Sequence, residues 1–207
     1  MRERYNSDLF IVRAVCVVLI GEFTESSIFS LMIYLIGGPP RVGKSRLARK
    51  ITREKGISSV STDVLNNSLH EAFPQLGIRD GSHSEIANRF FPFLEQFVRF
   101  TNYQLRFYTV EGDTLYPHII HQLQEKHEVR ACCLGNRNTT RELLLAHTGE
   151  NDWVSYQAEE EQLKLAEWVS SLSQKFELEC QKYQIPYFEM NEGFEGKIQA
   201  AFDYLIG

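Results

Sequence analysis

With 207 residues the chain has room for one domain and at most a small insertion; 43% hydrophobic residues supply a buried core, and 24% charged residues give an ordinary soluble surface. A net charge of -5 and a pI near 5.7 run against a nucleic-acid partner, which favours a basic face. Four cysteines (Cys16, Cys132, Cys133, Cys180) make no C-x-x-C pair and six histidines make no ligand set, so no zinc site is expected and a reducing, cytoplasmic compartment is.

Residues 1–31 stand apart from the rest of the chain. Within them LFIVRAVCVVLIG, residues 9–21, is apolar but too short to span a bilayer and is interrupted by Arg13. Its flank is mixed in charge and no A-x-A site comes after it, which is unlike a signal peptide. No membrane partner is expected. The first regular element is IYLIG, residues 33–37, an apolar run that reads as a buried strand. It leads into GPPRVGKS, the residues Gly38, Pro39, Pro40, Arg41, Val42, Gly43, Lys44 and Ser45, which match G-x-x-x-x-G-K-[ST]. KSRLARKITREK then sets Leu47, Ala48 and Ile51 on one helical face. Strand, glycine-rich turn and helix are the setting a phosphate cradle needs. Gly38 and Gly43 allow backbone conformations closed to residues with a Cβ, so that N–H groups turn toward phosphate oxygens in front of the helix's positive end. In this pattern Lys44 reaches the β- and γ-phosphates and the Ser45 hydroxyl holds Mg²⁺. A nucleoside triphosphate is the expected ligand, and with no N-K-x-D run to read guanine it is ATP.

Strand and helix patterns go on alternating. ISSVSTD, residues 57–63, reads as a second strand and residues 64–72 as a helix, broken at Pro74 and Gly77. Ser84 is placed to cap a long helix reaching about Phe107, with Ile86, Phe90, Leu94, Phe97 and Val98 near helical spacing and Pro92 as a kink. FYTVEGD reads as the third strand, residues 116–126 as a helix, and VRACCLG, residues 129–135, as the fourth strand. Within that strand Cys132 and Cys133 point to opposite faces and pack as small hydrophobes. A polar, arginine-bearing stretch precedes a long helix with Leu165, Trp168, Val169, Leu172 and Phe176 on one side. IPYFEM is the fifth strand, and Phe194, Ile198, Ala201, Phe202 and Leu205 define a closing amphipathic helix. The alternation predicts a three-layer α/β/α sandwich around a five-stranded, mainly parallel sheet. Ligands in such sheets lie beyond the carboxyl ends of the strands, where the glycine-rich turn, Asp63, Glu111, Asp113 and the segment after Leu134 all fall.

From about Met32 onward the chain resembles the small P-loop kinase superfamily, which holds the adenylate, shikimate, gluconate, uridine and zeta-toxin kinases. IGGPPRVGKSRLA and VEGDTLYP look most like the kinases allied to 2-phosphoglycerate kinase. The resemblance implies a P-loop NTPase fold, ATP with Mg²⁺, and a small-molecule acceptor. It gives Asp63 the role of orienting the acceptor hydroxyl, with helix capping as the plainer alternative. Glu111 would complete the Mg²⁺ shell through water as a Walker B acid does, whereas Asp113 is better read as the cap of the next helix. Arg137 and Arg141 correspond to lid arginines that close over the phosphates; the alternative is a solvated pair near Glu142 and Glu150. Arg79, Arg89 and Arg106 fall in or beside the acceptor-selecting region, where an arginine would favour an anionic substrate, and the turn from Asn191 to Phe194 is expected beside the adenine. His118 and His121 are read as surface or packing residues.

MIYLIGGPPRVGKS is how a small P-loop kinase usually begins. Residues 1–31 are therefore expected to be an upstream extension, or else an added strand or helix, and residues 32–207 the kinase-like domain. The expected activity is ATP-dependent phosphotransfer. A second reading is a nucleotide-binding switch or slow ATPase with no acceptor, in which Asp63 is only a cap.

Overall fold

A computed structural model describes residues 32–105, 107–146 and 152–207; the expectations for residues 1–31, Arg106 and Glu150 lie outside them. Five strands alternate with helices: β1 (Met32–Gly37), α1 (Lys44–Lys55), β2 (Ser59–Ser61), α2 (Thr62–Ala72), α3 (His83–Gln104), β3 (Phe107–Gly112), α4 (Pro117–Gln124), β4 (Val129–Gly135), α5 (Arg141–Ala146), α6 (Glu159–Tyr183), β5 (Tyr187–Glu189) and α7 (Phe194–Ile206). The sheet order is β2-β3-β1-β4-β5 and every pairing is parallel. β1 is central, with the chain leaving it toward β2 and β3 on one side and returning to β4 and β5 on the other. Its carboxyl end is a point where connections diverge, the place where α/β sheets bind ligands.

The period-2 alternation of the central strands divides the core into two layers. Ile33, Leu35, Ala131 and Cys133 face α3, α4 and α6, meeting the fully buried Phe90, Leu94, Ile120 and Phe176. Tyr34, Ile36, Cys132 and Leu134 face α1 and α7, meeting Leu47, Ile51, Ile198 and Leu205. The adjacent cysteines thus point to opposite faces, as their strand requires, and burial pushes both thiols up. Each fully buried aliphatic or aromatic side chain contributes about 1.5–3 kcal/mol by leaving water.

Several boundaries differ from the sequence reading, each for a local reason. β2 stops at Ser61, because Ser61 is the N-cap of α2 and its hydroxyl accepts from the Asp63 backbone N–H at 3.2 Å. Asp63 therefore lies in the first turn of α2 and is neither strand end nor cap. α3 is capped by Ser82 instead of Ser84, with the Ser82 backbone N–H donating to the Glu85 carboxylate at 2.7 Å, the reciprocal half of a capping box. α4 starts at Pro117 behind Tyr116, so Asp113 caps nothing. The register does the rest. Ser61 pairs with Glu111, and Ile36 and Gly37 pair with Glu111 and Gly112. Thr62 then takes the space a Cβ on Gly112 would fill, and one step further Asp63 meets Asp113.

Candidate active site

The loop between β1 and α1 is shaped by backbone that glycine favours. Gly38 has φ 138° and Gly43 φ 101°; a Cβ on Gly38 would strike the Leu134 carbonyl, and one on Gly43 would come within 2.8 Å of the Phe194 ring. The loop is thus seated on β4 and α7. Arg41 takes a φ of 67°, a left-handed conformation that costs a residue with a Cβ about 1–3 kcal/mol and tends to persist where function needs it. α1 has Gly43 as N-cap, no side-chain cap and no acid in its first turn, so no side chain of its own neutralises its positive end. Such an end is suited to an anion.

Two side chains tie the loop together. Lys44 is buried, and its Nζ donates to the Pro39 carbonyl at 2.6 Å, spanning the loop. The Ser45 hydroxyl donates to Glu111 Oε1 at 3.0 Å, joining the start of α1 to the end of β3. A cleft of about 870 Å³ opens from this loop toward the turn after β5; Arg41, Arg46, Arg49, Thr139, Asn191 and Phe194 are among its walls. Arg46 lies over the Phe194 ring at 5.5 Å and pairs with Glu195 at 2.5 Å, while Arg41 lies 5.5 Å from the centre of the Trp153 ring and 3.9 Å from Asp152.

On the other side of Lys44 is a carboxylate cluster. Asp63 shares a side-chain hydrogen bond with Asp113, and both feel the Lys44 charge. Burial of its carboxyl and the facing Asp113 carboxylate push Asp63 up to about 7, against the pull of Lys44. The like charge of Asp113 adds to the effect of burial, and Glu111 pushes the same way. Asp113 moves down to about 2: burial would raise it, but the hydrogen bond from His83 and the Lys44 and His83 charges outweigh that. A proton shared by the pair therefore sits on Asp63. His83, the first residue of α3, has Nε2 3.1 Å from Asp113 Oδ2 and Nδ1 2.8 Å from the Tyr116 hydroxyl, with Trp168 edge-on at 5.3 Å. A charged His83 donates from both ring nitrogens, Nε2–H to Asp113 and Nδ1–H to the Tyr116 hydroxyl oxygen.

The motif residues from Gly38 to Ser45, with Glu111 and Asp63, are brought to one end of the sheet. Arg137 and Arg141 are engaged elsewhere in this conformation. Arg137 bonds Glu189 at 2.9 Å and Glu177 at 2.8 Å, and Arg141 bonds Gln162 at 2.8 Å with Glu159 at 3.8 Å. Sequence reasoning misses Arg46 and Arg49 as cleft walls, although both come soon enough after Lys44 on α1 to be picked out. It also misses His83, Tyr116 and Trp168, for which no spacing gives a signal. His118 packs between Asn88 and Glu179 at 3.1 and 3.2 Å, consistent with a packing role.

Among the described residues no group of three or more His, Cys, Asp or Glu is placed to hold a metal by itself. Mg²⁺ in a phosphate site does not need one, since phosphates and water supply most of its shell. The Ser45 hydroxyl against the Glu111 carboxylate is an all-oxygen pair that fits such an ion. No described helix is long and apolar enough to cross a membrane.

The sequence matches no family model and no curated protein. The fold does find counterparts. A shikimate kinase from Acinetobacter baumannii, solved in complex with shikimate, has a TM-score of 0.52 at 17% identity, over 83% of this chain and 90% of its own. A gluconokinase from Sinorhizobium meliloti 1021 has a TM-score of 0.50 at 13% identity, over 86% of this chain and 92% of its own. At these identities the likeness carries the fold alone. The chain has a P-loop NTPase-like fold, an α/β/α sandwich similar in fold to these two kinase structures.

Proposed function

We propose that the protein is a cytoplasmic, ATP- and Mg²⁺-dependent phosphotransferase that moves the γ-phosphoryl group to a hydroxyl of a small-molecule acceptor. The observation that carries the reading is the 3.0 Å hydrogen bond from Ser45 to Glu111, which joins the phosphate loop to the carboxylate at the end of β3 beside Asp63. Gly38 to Ser45 wrap the phosphates with backbone N–H groups, and Lys44 exchanges the Pro39 carbonyl for β- and γ-phosphate oxygens. Mg²⁺, held by Ser45 and through water by Glu111, supplies charge neutralisation when bound. The turn from Asn191 to Phe194, at the far end of the cleft, takes the adenine.

Asp63 orients the acceptor hydroxyl for in-line attack. The acceptor oxygen bonds the γ-phosphorus, and the bond from that phosphorus to the β–γ bridging oxygen breaks. ADP departs with the electron pair, and the acceptor proton passes to the Asp63 carboxylate and on to water. Arg41, Arg46 and Arg49 already line the cleft. Arg137 and Arg141 would join them as lid arginines by exchanging their partners on α6 and β5 for phosphate oxygens.

The test is ADP release from MgATP with and without a panel of hydroxyl acceptors. Acceptor-dependent turnover of about 1–100 s⁻¹ is expected. Tight ATP binding with no acceptor dependence would overturn the proposal in favour of a nucleotide switch or slow ATPase.

A further inference from the structure

The cluster around Asp63 bears on which acceptors the site would take. The charges acting on Asp63 are Asp113, Lys44 and Glu111, two negative and one positive. With Lys44 occupied by phosphates and Glu111 by the Ser45 side of the loop, the Asp63–Asp113 pair, with His83 engaged on Asp113, is what remains for an acceptor. Around them stand His83 and the Tyr116 hydroxyl, with the half-exposed indole of Trp168 against His83. Three arginines near this region already have protein partners, and Arg137 and Arg141 turn to the phosphates when they leave theirs. Arg89 donates to the Asp80 carbonyl oxygen, Arg137 sits between Glu177 and Glu189, and Arg141 is held by Gln162 and Glu159.

Resting on the phosphotransfer proposal, we infer that the acceptor is an uncharged or amine-bearing alcohol, with no carboxylate or phosphate next to its reacting hydroxyl. Asp63 and Asp113 are acceptors for hydroxyl or ammonium hydrogens, and an ionised carboxylate placed against them meets like charge at short range in a partly dry site. A tryptophan beside two aspartates suits the carbon skeleton of a polyol or the cation of an amino alcohol. Shikimate, the ligand in the Acinetobacter baumannii structure, is a carboxylate, so the inference separates this chain from that enzyme's substrate chemistry.

The experiment uses the full chain with MgATP and matched acceptor pairs: sugar alcohols against the corresponding sugar acids, and amino alcohols against hydroxy acids of equal length. ATP-dependent phosphorylated product is measured directly. The uncharged or amine-bearing member of the best pair should have kcat/KM at least about tenfold higher. Asp113→Asn, which retains an oxygen acceptor for His83, should narrow that ratio by at least about threefold by relieving the repulsion of the acid. If the variant does not fold, the wild-type ratio alone decides. Preference for the acid, or equal use of both, overturns the inference while leaving phosphotransfer intact. Turnover with neither class, in a protein that binds ATP, overturns the phosphotransfer reading and the inference with it.

Discussion

Asp63→Asn should make the protein more stable and less active, and the opposite signs are what make it informative. The Asp63 carboxyl rises from its ordinary 3.8 to about 7 because burial disfavours its charged form and its proton is favoured beside the Asp113 carboxylate. A raised acid pKa means the folded state binds that proton more tightly than the unfolded chain does. The contribution is present below the unfolded value, is lost as pH climbs from about 4 to 7, and is gone above 7, where Asp63 and Asp113 repel each other. Fully expressed, such a rise would be worth about 4 kcal/mol. Asp63 is exposed, and screening by water leaves about 1 kcal/mol. Asn keeps the shape and can donate through Nδ2 to Asp113, so at pH 8 the variant should melt about 2–4 °C higher than wild type. The gain should shrink toward zero near pH 4. Phosphoryl transfer should meanwhile fall about 10²-fold or more, the scale for a positioned acid–base group. The measurements are thermal melts of nucleotide-free protein across pH 4–8, beside acceptor-dependent ADP release. A variant less stable than wild type at pH 8 would refute the like-charge contact, and one with undiminished transfer would refute the acceptor role.

Three further substitutions probe the loop. Lys44→Ala removes the charge expected on the β- and γ-phosphates together with the bond to Pro39; steady-state turnover should fall at least ~10²-fold, roughly 2.7 kcal/mol, in a protein whose far-ultraviolet circular dichroism still shows the fold. Ser45→Ala frees Glu111 and removes the oxygen proposed to hold the metal, so the Mg²⁺ concentration giving half-maximal activity should rise severalfold; an unchanged Mg²⁺ titration would sink the assignment. Gly43→Ala forces a Cβ toward Phe194 at a φ of 101° and should cost about 1–3 kcal/mol by urea unfolding. Phe194→Leu in the same chain should recover the steric share and leave the backbone share; strict additivity of the two changes would rule out that contact.

The parts of the fold legible in the sequence are those whose residues are buried on both faces. The sequence marks β4 at both of its bounds, and β1 to within one residue, because IYLIG is an unbroken apolar run and VRACCLG is apolar but for Arg130 near its start, as a covered, central strand requires. β2 reads too long because it is a three-residue edge strand, and Thr62 and Asp63 join the helix that Ser61 caps. The cap of α3 is displaced by two residues in a segment with serines at both 82 and 84; Glu85, three residues after Ser82, is the signal that chooses between them. The loop from Gly38 to Ser45 is legible because its chemistry is local to eight residues. His83 is not, because its partners Asp113 and Tyr116 lie on another segment, and only the folded chain brings them within hydrogen-bonding distance.

The carboxylate cluster, too, depends on the sheet more than on its own residues. Asp63 and Asp113 meet because Ser61 is level with Glu111 on β3 and Glu111 is level with Ile36 on β1, two registers that align three chain segments at one height. Thr62 in the space beside Gly112 holds the first of these alignments, since any larger residue at 112 would push α2 outward. A slip of β2 by one residue would turn its side chains to the opposite face and carry Asp63 away from Asp113 while leaving the glycine-rich loop untouched. The loop and the carboxylate cluster are therefore separable in folding terms: a sequence could keep the first and lose the second. Here the chain has both, and the Ser45–Glu111 hydrogen bond is the contact through which each holds the other in place.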